Sequence, residues 1–274
     1  MKITRAMELI AASRILRAQQ RVEAAQPYVE KLREVISNVA AATAGPSHLL
    51  LERREVRRAG LVVISSDRGL AGAYNTNVLR LAEVALQEHR TQGQEYRLYA
   101  VGKKAQGYFR YRGYQIERSF LGVTDTPGYG DARAIAATVL NDFAEGAVDT
   151  VEICFTRFLS ALTQTPVRWE LLPITPPEDL QEGDRPPVAY AYEPSPEQIL
   201  ERLLPRYVEA TIFGVLLEAS ASEHASRRRA MKAATENAED LTTVLRRQAN
   251  QARQAEITTE ISEIVGGAEA LVRG

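Results

Sequence analysis

A stretch with neither glycine nor proline covers residues 215–265 and reads VLLEASASEHASRRRAMKAATENAEDLTTVLRRQANQARQAEITTEISEIV. Alanine, glutamate, arginine and leucine are common in it, and all four favour helix. As one helix these residues would extend about 76 Å at 1.5 Å per residue, which is too long for a compact domain of this size. Apolar and small residues recur along it at heptad spacing, the pattern of a coiled-coil seam: Met231, Ala234, Ala238, Leu241, Leu245, Ala252 and Ala255.

The N-terminal residues 1–44 carry a matching pattern. No glycine precedes Gly45, and apolar residues again recur three and four positions apart, at Val22, Ala25, Val29, Leu32, Ile36 and Val39. Pro27 lies inside this segment and predicts either a kink or the start of a new helix. We expect residues 1–44 and 197–274 to form an antiparallel coiled coil, with the longer C-terminal helix projecting beyond the other.

Residues 57–175 read as an α/β domain between the two helical ends. The continuous apolar run at 59–65 is typical of a strand buried on both faces. Strands alternating with helices predict a mostly parallel, Rossmann-like sheet. The further strands are expected at 96–101, 148–155 and, as an edge strand, 169–172; the helices are expected at 74–90, from 103, and at 131–145.

A proline-rich linker is predicted at residues 176–196, because seven of the twelve prolines lie between 173 and 196. Ser195 followed by Pro196 is a helix-start signal. The expected fold class is therefore α/β with long helices, in which a coiled coil of the two ends carries a central Rossmann-like domain.

Composition excludes several classes of protein. The net charge of −1 argues against a chain that binds polyanions over its whole surface. The single cysteine, Cys154, cannot form an internal disulfide, and the three histidines show no ligand spacing, so no metal or cofactor is expected. No apolar run approaches the roughly 20 residues that span a bilayer. The N-terminus lacks an apolar signal segment, and a reducing cytoplasm is the expected compartment.

The glycine-rich loop at residues 66–72 follows a predicted strand and precedes a helix. Such a loop can bind phosphate, but this one lacks the motifs of a P-loop and of a dinucleotide site. A tight structural turn is therefore the favoured interpretation. Tyr74 and Asn75 have a possible functional role, although capping of the following helix is the simpler one.

Other polar clusters have ordinary explanations. Arg227, Arg228 and Arg229 on their own are typical of a solvated helix face, and no role is assigned to the nearby His224. The basic cluster at residues 53–58 lacks aromatic neighbours for stacking on bases, so no nucleic-acid partner is expected and a solvated linker is predicted. Cys154 is interpreted as a buried packing residue.

Four segments, in chain order, resemble the gamma subunit of F-type ATP synthases. They are KITRAMELIAASR at residues 2–14, SDRGLAGAYN at 66–75, AMKAATENA at 230–238 and ARQAEITTEISEIVGGA at 252–268. The resemblance covers essentially the whole chain. Two alternatives stay open at this point: an enzyme built on the Rossmann-like domain, for which no convergent set of catalytic residues is found, and an unrelated coiled-coil scaffold.

The resemblance implies a central rotor shaft. In this family the coiled coil lies inside a ring of three alpha and three beta subunits, and the α/β domain and coiled-coil foot contact the epsilon subunit and the proton-driven c-ring. ATP is made on beta, so no catalytic residue is expected here. Membrane association would arise only through the complex, at the cytoplasmic face of a bacterial plasma membrane.

The family match also implies contact residues. Those expected at the beta-subunit loops are Met7, Arg227, Arg253, Gln254, Thr258 and Glu260. The spacing of Ile257, Ile261, Ile264 and Val265 puts them on one helix face, which we expect to act as an apolar bearing tip. Family members normally have further residues before Lys2, so we expect the natural chain to start upstream of Met1.

Overall fold

The computed structural model describes residues 2–42, 48–175, 193 and 195–272. In chain order its elements are α1 (Lys2–Ala42), a 3-10 turn (Leu49–Leu51), β1 (Arg58–Ile64), α2 (Tyr74–Thr91), β2 (Glu95–Val101), α3 (Lys103–Tyr111), β3 (Arg118–Phe120), α4 (Tyr129–Ala144), β4 (Thr150–Phe158), β5 (Gln164–Leu172) and α5 (Pro196–Val272).

The sheet has the strand order β3-β2-β1-β4-β5. The first four strands are parallel, with Val62 opposite Tyr99 on one side and Ile153 on the other, and β5 adds an antiparallel edge. The predicted mostly parallel sheet is confirmed. β3 was not predicted, because it has only three residues. The start of β5 was predicted too late, because half-exposed polar residues interrupt the apolar pattern of that strand.

Helices cover both faces of the sheet. α2 and α3 pack on one face through a cluster that includes Leu61, Val63 and Leu86. The first turns of α5 pack on the other face, where Leu200, Leu204, Val208, Ile212 and Leu216 recur every four residues and are buried with the strands and α4. α5 is therefore also a layer of the α/β domain.

α1 and α5 are antiparallel, as predicted. The hydroxyls of Thr4 and Thr235 are hydrogen-bonded at 2.8 Å, whereas Ile36, near the other end of α1, is buried in one cluster with Leu200. α1 runs through Pro27 as a single helix, so the alternative of a new helix start is wrong. Ser195 caps α5, accepting a hydrogen bond from the backbone N–H of Gln198 at 3.3 Å.

The seam predicted along α5 is confirmed only in part. Met231 is buried, but Leu241 and Leu245 are 58% and 53% exposed. The reason is geometric: Thr4 near the start of α1 lies level with Thr235, so α1 does not reach these two leucines.

The domain boundaries at 44, 57, 175 and 196 stay predictions. Most of the expected linker 176–196 lies outside the described residues. Among the residues that the structure describes, no helix is long and apolar enough to cross a membrane.

Candidate functional site

Three loops at the carboxyl ends of the strands face α5. The β1 loop (residues 65–73) follows β1, the β3 loop (121–128) follows β3, and the β4–β5 loop (159–163) connects the last two strands. Each loop, or the strand end beside it, is bonded to α5 between residues 218 and 229. We call these loops together with residues 218–229 of α5 the junction. In doubly wound folds this edge of the sheet is the usual ligand site, and here a helix occupies much of it.

The β1 loop is held by Asp67. Its carboxylate accepts hydrogen bonds from the backbone N–H groups of Lys103, Gly122 and Thr124 at 3.0–3.2 Å. Burial alone would raise the pKa of Asp67, but these donors outweigh burial and lower it. A carboxylate at the centre of the loop disfavours a bound phosphate, because the two charges repel.

Backbone donors of the β1 loop are also used internally. The Ser66 N–H donates to Asn75 Oδ1 at 2.9 Å, and the Asp67 N–H donates to Thr124 Oγ1 at 2.9 Å. Both amides are therefore unavailable for a phosphate, which supports the tight structural turn. Gly102 completes the packing: it has φ +92°, and a Cβ there would lie 2.5 Å from the Ser65 carbonyl oxygen, so a side chain at this position would clash.

Arg227 connects the β1 loop to the shaft. Its guanidinium donates to Glu223 Oε1 at 2.5 Å, to the Gly69 carbonyl oxygen at 3.2 Å and to His224 Nδ1 at 3.3 Å. Arg227 is only 7% exposed and Glu223 only 1%. The expectation of a solvated arginine face is wrong for Arg227, because its neighbours on α5 and in the loop exclude water.

Burial also changes the protonation of this group. It raises the pKa of the Glu223 carboxyl to about 7. Burial, followed by the charge of Arg227, lowers the pKa of His224 to about 4, so His224 is neutral at pH 7 and can accept the Arg227 hydrogen bond. Sequence reasoning gave His224 no role; its three-residue spacing from Arg227 was the available signal, since such residues are neighbours on a helix.

The β3 loop binds both long helices. Arg14 of α1 contacts Asp125 Oδ1 at 2.6 Å, and Arg21 donates to the Pro127 carbonyl oxygen. On the opposite side Ser220 of α5 donates to the Asp125 carbonyl oxygen at 3.2 Å. One loop therefore fixes the coiled coil to the sheet through two helices.

The third set of contacts comes from the β4–β5 hairpin. The Phe158 N–H donates to Glu218 Oε2 at 3.1 Å, and the Ser222 hydroxyl donates to the Thr156 carbonyl oxygen at 3.0 Å. Arg229, which is exposed, donates to the Leu162 carbonyl oxygen. The sequence did not predict any of these contacts, because the partners are more than 50 residues apart.

The structure tests two roles predicted from the sequence, one for the loop before α2 and one for Cys154. Capping by Tyr74 and Asn75 is wrong: Ala73 occupies the N-cap position of α2 without a side-chain hydrogen bond, and Asn75 instead accepts from Ser66 in the loop. Cys154 is buried as predicted, and burial raises the pKa of its thiol to about 12. Within the described part of the chain, no group of three or more His, Cys, Asp or Glu residues is placed to hold a metal ion.

The far end of α5 contrasts with the junction. Every residue from 243 to 268 is exposed, and the helix continues to Val272, so a single helix about 45 Å long projects beyond α1. We call residues 243–268 the tip. It carries the predicted contact residues Arg253, Gln254, Thr258 and Glu260, and the apolar residues Ile257, Ile261, Ile264 and Val265, which are 47–71% exposed.

The predicted contact residues therefore fall into two groups. Four are brought together on the exposed tip, whereas Arg227 is enclosed in the junction and Met7 is half-buried on α1.

Comparison with known proteins connects this shape to a family. A family model described as ATP synthase matches residues 1–271. The chain is 49% identical to an ATP synthase gamma chain of Parafrankia sp., with 100% of this chain and 93% of that relative covered. It is 48% identical to the ATP synthase gamma chain of Mycolicibacterium smegmatis, covering 98% and 92% of the two chains.

The chain belongs to the ATP synthase gamma family. Among solved structures it is similar to the central stalk of the Tetrahymena thermophila mitochondrial ATP synthase, with a TM-score of 0.64, 25% identity, and coverage of 85% of this chain and 99% of that chain. The rotor of the Euglena gracilis enzyme, 20% identical with a TM-score of 0.61 and coverage of 93% of this chain and 94% of that chain, shares the fold. The predicted resemblance and fold class are confirmed, and an unrelated scaffold is excluded. This gamma-family chain is a central rotor shaft.

Proposed function

We propose that this chain transmits torque between a proton-driven c-ring and a catalytic ring of three alpha and three beta subunits, without catalysing a reaction itself. The observation that carries the proposal is the contrast within α5 between a part bonded to the junction and an exposed part that lies beyond the described residues of α1. A shaft needs both: one end that turns with its base, and one end that is free to contact a surrounding ring.

The partners follow from this arrangement. The tip enters the alpha–beta ring, and the α/β domain with the base of the coiled coil contacts the epsilon subunit and the c-ring. The chain then lies at the cytoplasmic face of a bacterial plasma membrane and is associated with the membrane only through the complex. It requires no cofactor for this role.

The tip suits a contact that changes with angle. Arg253 and Gln254 are exposed and can form hydrogen bonds with beta-subunit loops at one angle and release them at the next, each bond to a charged group contributing roughly 1.5–3 kcal/mol. The apolar face that contains Ile261 suits a bearing, because apolar contact is non-directional. Different contact energies at different angles shift the populations of the beta conformations.

Met7 and Arg227 are proposed contacts nearer the base of the ring. For Arg227 an acidic beta-subunit loop has to compete with Glu223, which already holds the guanidinium at 2.5 Å. We therefore assign the larger share of the angle-dependent contact to Arg253, Gln254, Thr258 and Glu260.

A matched pair of double variants tests this function. Arg253→Ala with Gln254→Ala removes the proposed contact, and Arg247→Ala with Gln248→Ala removes an arginine–glutamine pair that is also exposed on the same helix. Each variant is reconstituted with alpha, beta and the remaining subunits, and proton-driven ATP synthesis is measured in vesicles. We expect synthesis to fall at least tenfold for the first pair and less than twofold for the second, since about 1.4 kcal/mol corresponds to a factor of ten.

Circular dichroism of the isolated chain checks that both variants keep their helix content. Unchanged synthesis with the 253/254 variant would reject the assigned role of these residues. Failure of the unmodified chain to assemble with alpha and beta, both as given and with an N-terminal extension, would reject the shaft function itself.

A further inference from the structure

A cleft of about 360 Å³ lies beside the junction. Its walls are the start of α2, the β4–β5 hairpin and α5, and its lining includes Tyr74, Thr156, Gln164, Ser226, Arg229 and Ala230. In the sheet order, β1 lies between β2 and β4, so the cleft is at the carboxyl ends of the two strands where the order reverses. That is the position where open α/β sheets bind ligands, and the proposed rotation of the shaft does not account for it.

The buried hydroxyl of Thr156 is evidence for a ligand in this cleft. It is 4% exposed, and its Oγ1 has no hydrogen-bond partner among the described residues. Alternation along β4 puts Thr156 on the same face as Cys154, which packs on the α2 side of the sheet, and this is the side on which Tyr74 and Asn77 line the cleft. Buried hydroxyls without a partner are rare in native proteins, so a bound group is the simplest way to satisfy this one.

Tyr74 supplies a second hydroxyl. It is also 4% exposed and without a partner among the described residues. Burial, and after it the charge of Glu223, raises the pKa of Tyr74 well above its ordinary value. The phenol therefore keeps its proton and is a hydrogen-bond donor.

The remaining lining is electropositive. α2 is 18 residues long and begins here with Ala73, which gives no side-chain cap. The N–H groups of Tyr74 and Asn77 are bonded to the carbonyl oxygens of Ala71 and Ala73, so α2 contributes the positive end of its helix dipole to the cleft. Arg229 is the only charged side chain among the described lining residues, and its contacts with Leu162 and Gln164 hold it beside the cleft. Glu223, which is not among the lining residues, is ion-paired with Arg227 through Oε1 at 2.5 Å, and its Oε2 is buried without a partner among the described residues.

We propose that this cleft binds a small oxyanion, with inorganic phosphate as its ligand. Hydroxyl donors from β4 and α2 and the Arg229 guanidinium match the acceptor oxygens of phosphate, and the N-terminal end of the α2 dipole favours an anion there. The anion would bridge α2 of the α/β domain and α5 of the shaft. The phosphate groups of a nucleotide have the same chemistry. The β1 loop, however, does not offer a nucleotide its usual phosphate contacts, because Asp67 repels phosphate and the amides of Ser66 and Asp67 are already hydrogen-bonded.

Phosphate binding to the purified full-length chain tests the proposal independently of rotation. The line width of inorganic phosphate in phosphorus-31 NMR and isothermal titration calorimetry give the dissociation constant. Thr156→Val and Arg229→Gln each remove one donor, and we expect each to weaken binding about tenfold, the loss typical of one charge-assisted hydrogen bond. Arg228→Gln is the matched control, because Arg228 is exposed and adjacent but does not line the cleft.

Several outcomes would overturn the proposal. One is no phosphate binding by the unmodified chain, and another is equal weakening by Arg228→Gln and Arg229→Gln. If chloride at the same ionic strength has the same effect as phosphate, the effect is general charge screening and not phosphate binding. Binding of ATP without binding of phosphate would identify a nucleotide site instead. Arg229 is on the surface, so its variant keeps the test valid even if Thr156→Val does not fold.

Discussion

The junction and the tip lie on one helix and use similar residues in opposite ways. In the junction Glu223 and Arg227 are buried and bonded to each other and to the β1 loop. On the tip Arg253 and Glu260 are exposed along a helix that no other described element covers. A charge that is enclosed by its own chain fixes geometry, whereas a charge that is left in water remains available for a partner.

The two regions show that the sign of a side chain's charge does not predict its role unless its burial is also known. Exposed ion pairs contribute about 0–1 kcal/mol, but breaking a buried pair costs several times more because one charge is left unpaired. Substitutions in the two regions should therefore separate folding from coupling.

The largest effect on folding is expected from Arg227→Ala. It leaves Glu223 buried without its cation, which typically costs about 3–5 kcal/mol. Urea unfolding of the isolated chain measures the loss. The loss should be smaller at about pH 6 than at about pH 8, because the raised pKa of Glu223 lets the carboxyl take up a proton at the lower pH.

Arg228→Ala is the control for that experiment, since Arg228 is exposed on the next position of the helix, and it should change stability by less than about 0.5 kcal/mol. Equal losses for the two variants would show that the burial of Arg227 does not matter.

A charged cluster outside the junction and the tip should affect folding but not coupling. His89 contacts Gln94 at 2.6 Å and Glu152 at 3.0 Å, and Arg168 contacts Glu152 at 2.8 Å. The hydrogen bond to Glu152 outweighs burial and raises the pKa of His89 above 6.5. Its stabilisation is therefore complete below pH 6.5 and is lost as the pH rises through the raised value.

His89→Gln should lower the free energy of unfolding by about 1–2 kcal/mol at pH 6 and by less at about pH 8.5. Chemical denaturation at the two pH values measures this difference. A loss that grows with pH would contradict the assignment, as would a large fall in ATP synthesis by the assembled variant.

A smaller effect is expected where the junction reaches α1. Arg14 and Asp125 are 2.6 Å apart but partly exposed, at 36% and 21%, so Arg14→Ala should cost about 0.5–1 kcal/mol. The thermal midpoint of the chain, measured at low salt and at high salt, checks this. The difference from the unmodified chain should shrink at high salt, and a salt-independent loss would indicate packing of the arginine stem instead.

The smallest effect on folding is expected at the tip. Ile261→Ser with Ile264→Ser should leave the unfolding free energy within about 0.5 kcal/mol, because both side chains are more than half exposed. In the assembled complex the same change should weaken the retention of the shaft in the ring, measured by dissociation during native mass spectrometry. A strongly destabilised isolated chain would show that the tip is packed in solution.

The sequence predicted the parts of this molecule that depend on local pattern. The absence of glycine and proline over residues 215–265 predicted α5, and the apolar run at 59–65 predicted β1. The exposed apolar face of the tip was also predicted. Ile257 and Ile261 repeat at helical spacing, and the described part of α1 does not reach them.

The junction could not be predicted in the same way. Arg227 looked like part of a basic surface, and only the approach of Gly69, 158 residues earlier, encloses it. Leu241 had the right spacing for a seam but is 58% exposed, because no described helix covers it. The apolar pattern of a segment shows which of its faces is able to pack, whereas the tertiary structure decides whether another element covers that face.

The continuity of α5 has a mechanical consequence. Its described backbone passes from the sheet layer to the tip without a loop, and its internal proline, Pro205, lies where buried neighbours such as Leu204 brace the helix. Hinges in proteins are loops and element ends that absorb large changes in backbone angle. No such break interrupts the described part of α5 between the sheet and the tip. Such a helix behaves as an elastic rod: a twist applied at one end is spread over many hydrogen-bonded turns, held as torsional strain, and returned when the resisting end yields.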